Sequence, residues 1–238
     1  SSDLMSLDRL ALAESRVPRY TSYPTAAQFS PRIGPTQAKR WLAAVDLGRS
    51  ASLYVHIPFC RQLCWYCGCN TTVVSRDAPI RRYLEHLHRE IALVAAELPG
   101  RLPIAHLHFG GGTPTILEAD AFAALMAAIR GAFDLLPDAE IAVEIDPRGL
   151  DDARIAALVA AGVTRVSLGI QDLDEQVQEA INRVQPLALI HQGLAGVGVA
   201  VEPAPVGDDE LAELRAPVAQ VVVGDDADAD GAEDPLQG

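Results

Sequence analysis

Residues 52–69 read Ser-Leu-Tyr-Val-His-Ile57-Pro-Phe-Cys60-Arg-Gln-Leu-Cys64-Trp-Tyr-Cys67-Gly-Cys69. The run 52–57 is rich in β-formers, and Pro58, which has no N–H to give to a ladder, ends it. Working outward, the same unit recurs. Residues 79–98 show helical periodicity and close on Pro99-Gly100. An apolar strand at 104–109 runs into Gly110, Gly111 and Gly112, and a helix at 119–130 follows with Gly131 as its stop. A strand at 140–145 ends at Asp146-Pro147. The helix after it, 151–161, has Asp151 or Asp152 as N-cap and Gly162 just past its end. A strand at 164–168 and a helix at 174–182 complete the series. Four strand–helix units with apolar strands predict an α/β fold with a parallel sheet and right-handed crossovers. They amount to half of an eight-stranded barrel or two-thirds of a six-stranded one. Residues 1–50 precede the first unit and read as an N-terminal extension.

The chain of 238 residues is 49% hydrophobic and 21% charged, enough apolar material for a sizeable core. Its net charge of −13 argues against a nucleic-acid surface, which needs a basic face to release counterions. That charge is unevenly spread. Residues 187–238 hold one base, Arg215, against eleven acids, a net of −10, and the rest is nearly balanced at −3. The same 52 residues contain no aromatic, Ser, Thr, Asn, Cys, Met or Lys. They read as a low-complexity acidic tail, poorly ordered over 224–234. No apolar run approaches the ~20 residues that span a bilayer. No basic stretch followed by an apolar one opens the sequence, so a cytoplasmic location is expected.

All four cysteines fall within ten residues, at Cys60, Cys64, Cys67 and Cys69. A disulfide framework would spread them to close long loops. The spacing Cys-x3-Cys-x2-Cys sits just after the first strand, at the strand end where ligands bind in parallel α/β folds. Three thiolates from one loop can hold three irons of a [4Fe–4S] cluster and leave the fourth open to a small-molecule chelator. Zinc is the competing reading, although structural zinc usually takes two ligand pairs separated by a longer loop.

These residues resemble the radical S-adenosylmethionine enzymes, and within them the oxygen-independent coproporphyrinogen III oxidase family. The stretches that carry the likeness begin with Pro18-Arg-Tyr-Thr-Ser-Tyr-Pro-Thr-Ala26, Leu53-Tyr-Val-His-Ile-Pro-Phe-Cys60 and Cys64-Trp-Tyr-Cys67-Gly-Cys69-Asn70. His108-Phe-Gly-Gly-Gly-Thr-Pro-Thr115, Glu144-Ile-Asp-Pro-Arg148, Gly169-Ile-Gln-Asp172 and Ile181-Asn-Arg183 continue it. The spacing alone points to the superfamily, while Cys69 and the Arg19-to-Thr25 segment point to the oxidases. A haem-binding, cluster-bearing chaperone-type relative is the alternative.

The resemblance implies a partial TIM-like (β/α) barrel, 51–186, carrying a [4Fe–4S] cluster and S-adenosylmethionine. It implies Cys60, Cys64 and Cys67 as cluster ligands, with Cys69 nearby but not ligating. Tyr54 and Tyr66 would flank the cofactor, and Gly111, Gly112 and Thr113 would line its methionine end. Glu144, Gln171 and Arg183 would reach it from later units. The implied reaction uses a 5′-deoxyadenosyl radical to take a hydrogen from a propionate β-carbon of coproporphyrinogen III. Loss of CO2 and one electron leaves a vinyl group, twice, giving protoporphyrinogen IX. An electron donor of flavodoxin or ferredoxin type is implied as a partner. Arg19 and Arg148 are candidates for the substrate carboxylates by residue type.

Each position also has a plainer reading. The three glycines could be a turn before a helix, and Glu144 a solvated acid at a strand end. Gln171 and Arg183 alone would pass as surface residues. His56 reads as a hydrogen-bonded core or rim histidine, His86 and His88 as part of a solvated helix face. The likeness stops near Pro186, where the alphabet narrows. A shifted reading frame or truncated gene is the expectation there, with 197–201 and 218–223 as possible substitute strands.

Overall fold

A computed structural model describes residues 29–30 and 33–196. The Pro18–Ala26 motif, Arg19, the candidate strands 197–201 and 218–223, and most of the acidic tail lie outside the described residues. The chain divides into two units, Ser1–Trp41 and Leu42–Gly238. A helix α1, Pro35–Ala43, starts in the first unit and buries none of its residues. The boundary expected at residue 50 falls earlier, because Leu42, Val45 and Ala51 already pack on the core of the second unit.

That second unit is built on four strands: β1 (Ala51–Ile57), β4 (Pro103–Gly111), β5 (Asp134–Ile145) and β6 (Arg165–Leu168). They pair in the order β1-β4-β5-β6, each pair parallel, as four strand–helix units require. Two short strands, β2 (Phe59–Cys60) and β3 (Thr72–Val73), pair separately. The helices are α2 (Ala78–Glu97), α3 (Ala119–Ala132), α4 (Asp152–Ala160), α5 (Glu175–Ala180) and α6 (Leu187–Gly196).

The strand pleat divides the sheet into two faces. Val55 and Ile57, Leu107 and Phe109, Val143 and Ile145, and Val166 and Leu168 alternate onto one side. They join Leu87 and Ile91 of α2, Leu125 and Ile129 of α3, and Leu158 of α4 in one core cluster. Ile57, Leu107, Phe109 and Val143 are fully buried, each stabilising the fold by about 1.5–3 kcal/mol. Tyr54, His56, His108 and Glu144 occupy the alternate positions and remain partly open to solvent.

Local signals set most boundaries. Asp151 caps α4 by accepting from Arg154 N, and Gly162 follows the helix at φ +74. Asp174 caps α5 through the backbone N–H groups of Gln176 and Val177. Three expectations need correction. Gly131 does not stop α3, which runs to Ala132, because the site is open and tolerates helical glycine at modest cost. β5 begins at Asp134, six residues before the apolar run, because its first residues pair with Pro103 and Ile104 across a register shift. The chain does not lose structure at Pro186: α6 continues to Gly196, and Ile190 is buried.

Candidate active site

The loops that leave the C-terminal ends of β1, β4, β5 and β6 converge on one cavity of about 230 Å³. The cysteine loop is closed at its base by the parallel pair β2–β3, with Phe59 against Thr72 and Cys60 against Val73. Its middle is tied to the segment after α5. Trp65 N donates to Ile181 O at 3.0 Å, and Asn182 Nδ2 donates to Leu63 O at 2.7 Å. Asn182 holds φ 55, a left-handed conformation that asparagine tolerates better than most residues. Within the loop, Cys67 N donates to Cys64 O at 2.9 Å, turning the chain so that both side chains reach the cavity.

Cys60, Cys64, Cys67 and Cys69 all line that cavity. Cys60 Sγ lies 3.4 Å from both Thr113 Oγ1 and Thr71 Oγ1. Cys64 is buried, and its sulfur lies 3.3 Å from Arg183 Nη1 and 3.5 Å from Arg148 Nη2. The thiols share a space and are not drawn in around a point. Among the described residues, no three His, Cys, Asp or Glu side chains are grouped to hold a single metal ion. Partial desolvation, reinforced by Cys67, pushes the Cys69 thiol above its ordinary range although the residue is exposed. Burial likewise pushes the Tyr66 phenol up.

The glycine run leaves bare backbone where side chains would not fit. Gly112 N donates to Ile57 O and Thr113 N to Phe59 O, both at 2.9 Å, clamping the β4 loop to the β1 loop. A Cβ on Gly112 would lie 2.6 Å from Phe59 O, and one on Gly110 would lie 2.9 Å from Glu144 Oε1. Gly111, at φ +115, donates its N–H to Glu144 Oε2 at 3.2 Å. Glu144 also accepts from His108 Nε2 at 3.2 Å. Tyr54, opposite His108 in the register, stacks on it with ring centroids 5.7 Å apart. Tyr54 also donates its hydroxyl to His56 Nδ1 at 3.0 Å, which leaves His56 Nε2–H to donate to Asn70 O at 2.9 Å. His56 is thus a hydrogen-bonded rim histidine, as expected.

Behind Cys64 sits a charged group the sequence did not single out. Asp146 is bound by Arg148 through Nη2 at 2.6 Å and by Arg183 through Nη1 at 3.3 Å. Burial pushes the Asp146 carboxyl up, but the hydrogen bond from Arg148 and the charges of Arg183 and Arg148 outweigh it. The net effect holds Asp146 below the usual carboxylate range. Arg183 also donates to Gly169 O at 2.7 Å, and its buried Nε has no partner among the described residues.

Tyr66, Gly111, Gly112, Thr113, Glu144, Gln171 and Arg183 therefore line the same cavity as the four cysteines. Tyr54 does not line it but buttresses Glu144 through His108. Arg148, expected by residue type to await substrate carboxylates, is instead occupied by Asp146, Gln62 Oε1 and Asn182 O. Asp146 and Thr71 were missed. Asp146 had a signal in the Asp-Pro-Arg turn at a strand end, whereas Thr71 has no pattern that distinguishes it from a loop threonine. Among the described residues, no helix is long and apolar enough to cross a membrane.

The chain is similar to several known proteins. The chain is 53% identical over 196 residues to the oxygen-independent coproporphyrinogen III oxidase of Bradyrhizobium diazoefficiens, covering 79% of this chain and 44% of that protein. It is 44% identical over 168 residues to the Escherichia coli protein of the same name, covering 71% of this chain and 36% of that one. The chain thus spans less than half the length of these relatives. Among solved structures, the coproporphyrinogen III oxidase from Escherichia coli, described as a radical SAM enzyme, superposes with a TM-score of 0.71 at 40% identity. That likeness covers 79% of this chain and 42% of the other. The family model of the Radical SAM superfamily matches residues 54–195, which take in the last four residues of β1, the other strands and the whole cysteine loop, and the chain belongs to that superfamily.

Proposed function

We propose that this chain binds a [4Fe–4S] cluster and S-adenosylmethionine, and serves the oxidative decarboxylation of coproporphyrinogen III propionates to vinyl groups. The observation that carries this reading is the convergence of Cys60, Cys64 and Cys67 with Glu144, Gln171 and Arg183 on one cavity. The relatives' names supply the substrate.

The residues fit the groups. The donor set is three thiols from one loop, the right chemistry for three irons of a cube with one corner left open. Gly111 and Gly112 bring backbone without a side chain to the wall of the cavity. The buried, unpartnered Nε of Arg183 is a donor awaiting an acceptor.

When bound, the two groups supply reductive cleavage of a sulfonium and, from it, a carbon radical that abstracts hydrogen. The chain's own part is binding and orientation. Cys60, Cys64 and Cys67 hold the iron. Glu144, fixed by Gly111 N and His108, presents carboxylate oxygens to ribose hydroxyls. Gly111, Gly112 and Thr113 let the methionine end approach the backbone. Tyr66 covers the adenine, and Gln171 and Arg183 contribute polar contacts from the β6 side.

Anaerobic reconstitution of the full chain with iron and sulfide tests the reading. About four irons per chain, a brown chromophore and binding of S-adenosylmethionine are the expected results. Tight zinc with no iron centre would overturn it. Incubation with coproporphyrinogen III, S-adenosylmethionine and a reductant then tests the substrate by appearance of the vinyl product. A flavodoxin- or ferredoxin-type protein is the proposed physiological reductant.

A further inference from the structure

Arg148 is locked in place and has no donor left for a ligand. Its Nε and Nη2 engage both carboxylate oxygens of Asp146, at 3.1, 3.1 and 2.6 Å. Its Nη1 donates to Gln62 Oε1 at 3.0 Å and Asn182 O at 3.4 Å. The remaining contact of Nη2 is the Cys64 sulfur at 3.5 Å. Gln62 lies within the cysteine loop, so the guanidinium grips that loop at two points. The side chain is only 16% exposed, and Asp146, at 12%, is its buried counter-charge. Arg183 brings a second guanidinium to the same sulfur. Two cations and one carboxylate therefore leave a net positive charge beside Cys64.

Hydrogen bonds and positive charge at a cluster thiolate favour the reduced, more negative state, and a site shielded from water amplifies the effect. We propose that Arg148 is a positioning and tuning residue, which raises the reduction potential of a cluster held by Cys60, Cys64 and Cys67 through its contact with the Cys64 sulfur. The inference rests on the cluster reading above. It also gives Asp146 a role, holding the guanidinium at the sulfur while cancelling only one of the two charges.

The test is an anaerobic potentiometric titration of the reconstituted full chain without S-adenosylmethionine, following the reduced cluster by electron paramagnetic resonance. In Arg148→Met the equilibrium for one-electron reduction should weaken about tenfold, a fall in midpoint of about 59 mV. Arg148→Lys, which keeps the charge and loses the fork, should shift in the same direction by less. A full iron load with an unmoved midpoint in Arg148→Met overturns the inference and leaves the cluster reading standing. Loss of the cluster from both variants while wild type retains it also overturns the inference, because a tuning residue must leave a cluster to tune. Failure of the wild type itself to take up iron overturns the cluster reading, and the inference with it.

Discussion

Asp146 and Arg183 form an ion pair at 3.3 Å, with side chains only 12% and 10% exposed, linking the end of β5 to the segment that follows α5. Arg148 shares the same carboxylate. Removing one partner of such a buried group leaves uncompensated charge, which costs far more than the pair gains. Asp146→Asn should therefore destabilise the iron-free chain by about 3–5 kcal/mol, read from urea denaturation. A change within ordinary surface scatter would show that water compensates the two arginines.

The same carboxylate predicts an acid limb. Its folded pKa is held below the usual value by Arg148 and Arg183, against the opposing effect of burial. A group depressed in the folded state stabilises fully above its unfolded pKa, and loses that stabilisation as pH falls through the folded value. Stability of the iron-free chain should fall as pH drops below roughly 4, and Asp146→Asn should flatten that limb. Equal slopes for the two proteins in urea midpoints from pH 6 to 3 would remove Asp146 as the cause.

Gly112 predicts a steric penalty. A methyl there would meet the carbonyl oxygen of Phe59 at 2.6 Å, and backbone cannot swing aside as a long side chain can. The same residue donates to Ile57 O, so relieving the clash breaks the clamp between the β1 and β4 loops. Gly112→Ala should cost about 1–3 kcal/mol in urea unfolding, while Gly131→Ala, in open helical surroundings, should be neutral or stabilising. Equal effects at the two positions would contradict the clamp.

How far these features were legible depends on whether the signal was local. The four strands, their parallel order and the placing of cysteines at a strand end follow from period, turn residues and Pro58, all read within short windows. The cap at Asp151 and the left-handed Gly162 are equally local. By contrast, α1 is only nine residues long and fully buries none of them, with Leu42 packed against the core, so a short window of sequence gives little to register. The first residues of β5 include Pro137 and Asp138 and resemble a loop; only pairing with β4 makes them a strand. The role of Arg148 was misread for the same reason. Residue type gives a charge, and only the tertiary partners Asp146 and Cys64 say what the charge faces.

The cysteines differ in their surroundings, and the proposed cluster should sort them. Cys64 is buried between two guanidiniums, and Cys60 lies between two threonine hydroxyls, whereas Cys69 is exposed at the far end of the loop. Ala substitution of Cys60, Cys64 or Cys67 should abolish the iron chromophore after reconstitution. Cys69→Ala should keep close to the wild-type iron content. Iron loss in Cys69→Ala equal to that in Cys64→Ala would make four cysteines ligands and close the open corner on which S-adenosylmethionine binding depends.

Glu144 tests that binding directly. Its two oxygens serve two donors, Gly111 N and His108 Nε2, each at 3.2 Å, and a carboxylate has lone pairs left for ribose hydroxyls. An amide has one acceptor and one donor group, so Glu144→Gln must leave either Gly111 N or His108 facing an NH2. The charge-assisted bonds proposed to reach the cofactor would be weakened as well. Hydrogen bonds to charged groups contribute about 1.5–3 kcal/mol, so the dissociation constant for S-adenosylmethionine should rise roughly 10- to 100-fold by calorimetry on the reconstituted chain. Iron content should not change, because Glu144 touches none of the three sulfurs through a hydrogen bond. An unaltered dissociation constant would return Glu144 to the status of a solvated strand-end acid. A loss of iron instead would mean that the Gly111 contact shapes the cysteine loop rather than the cofactor pocket.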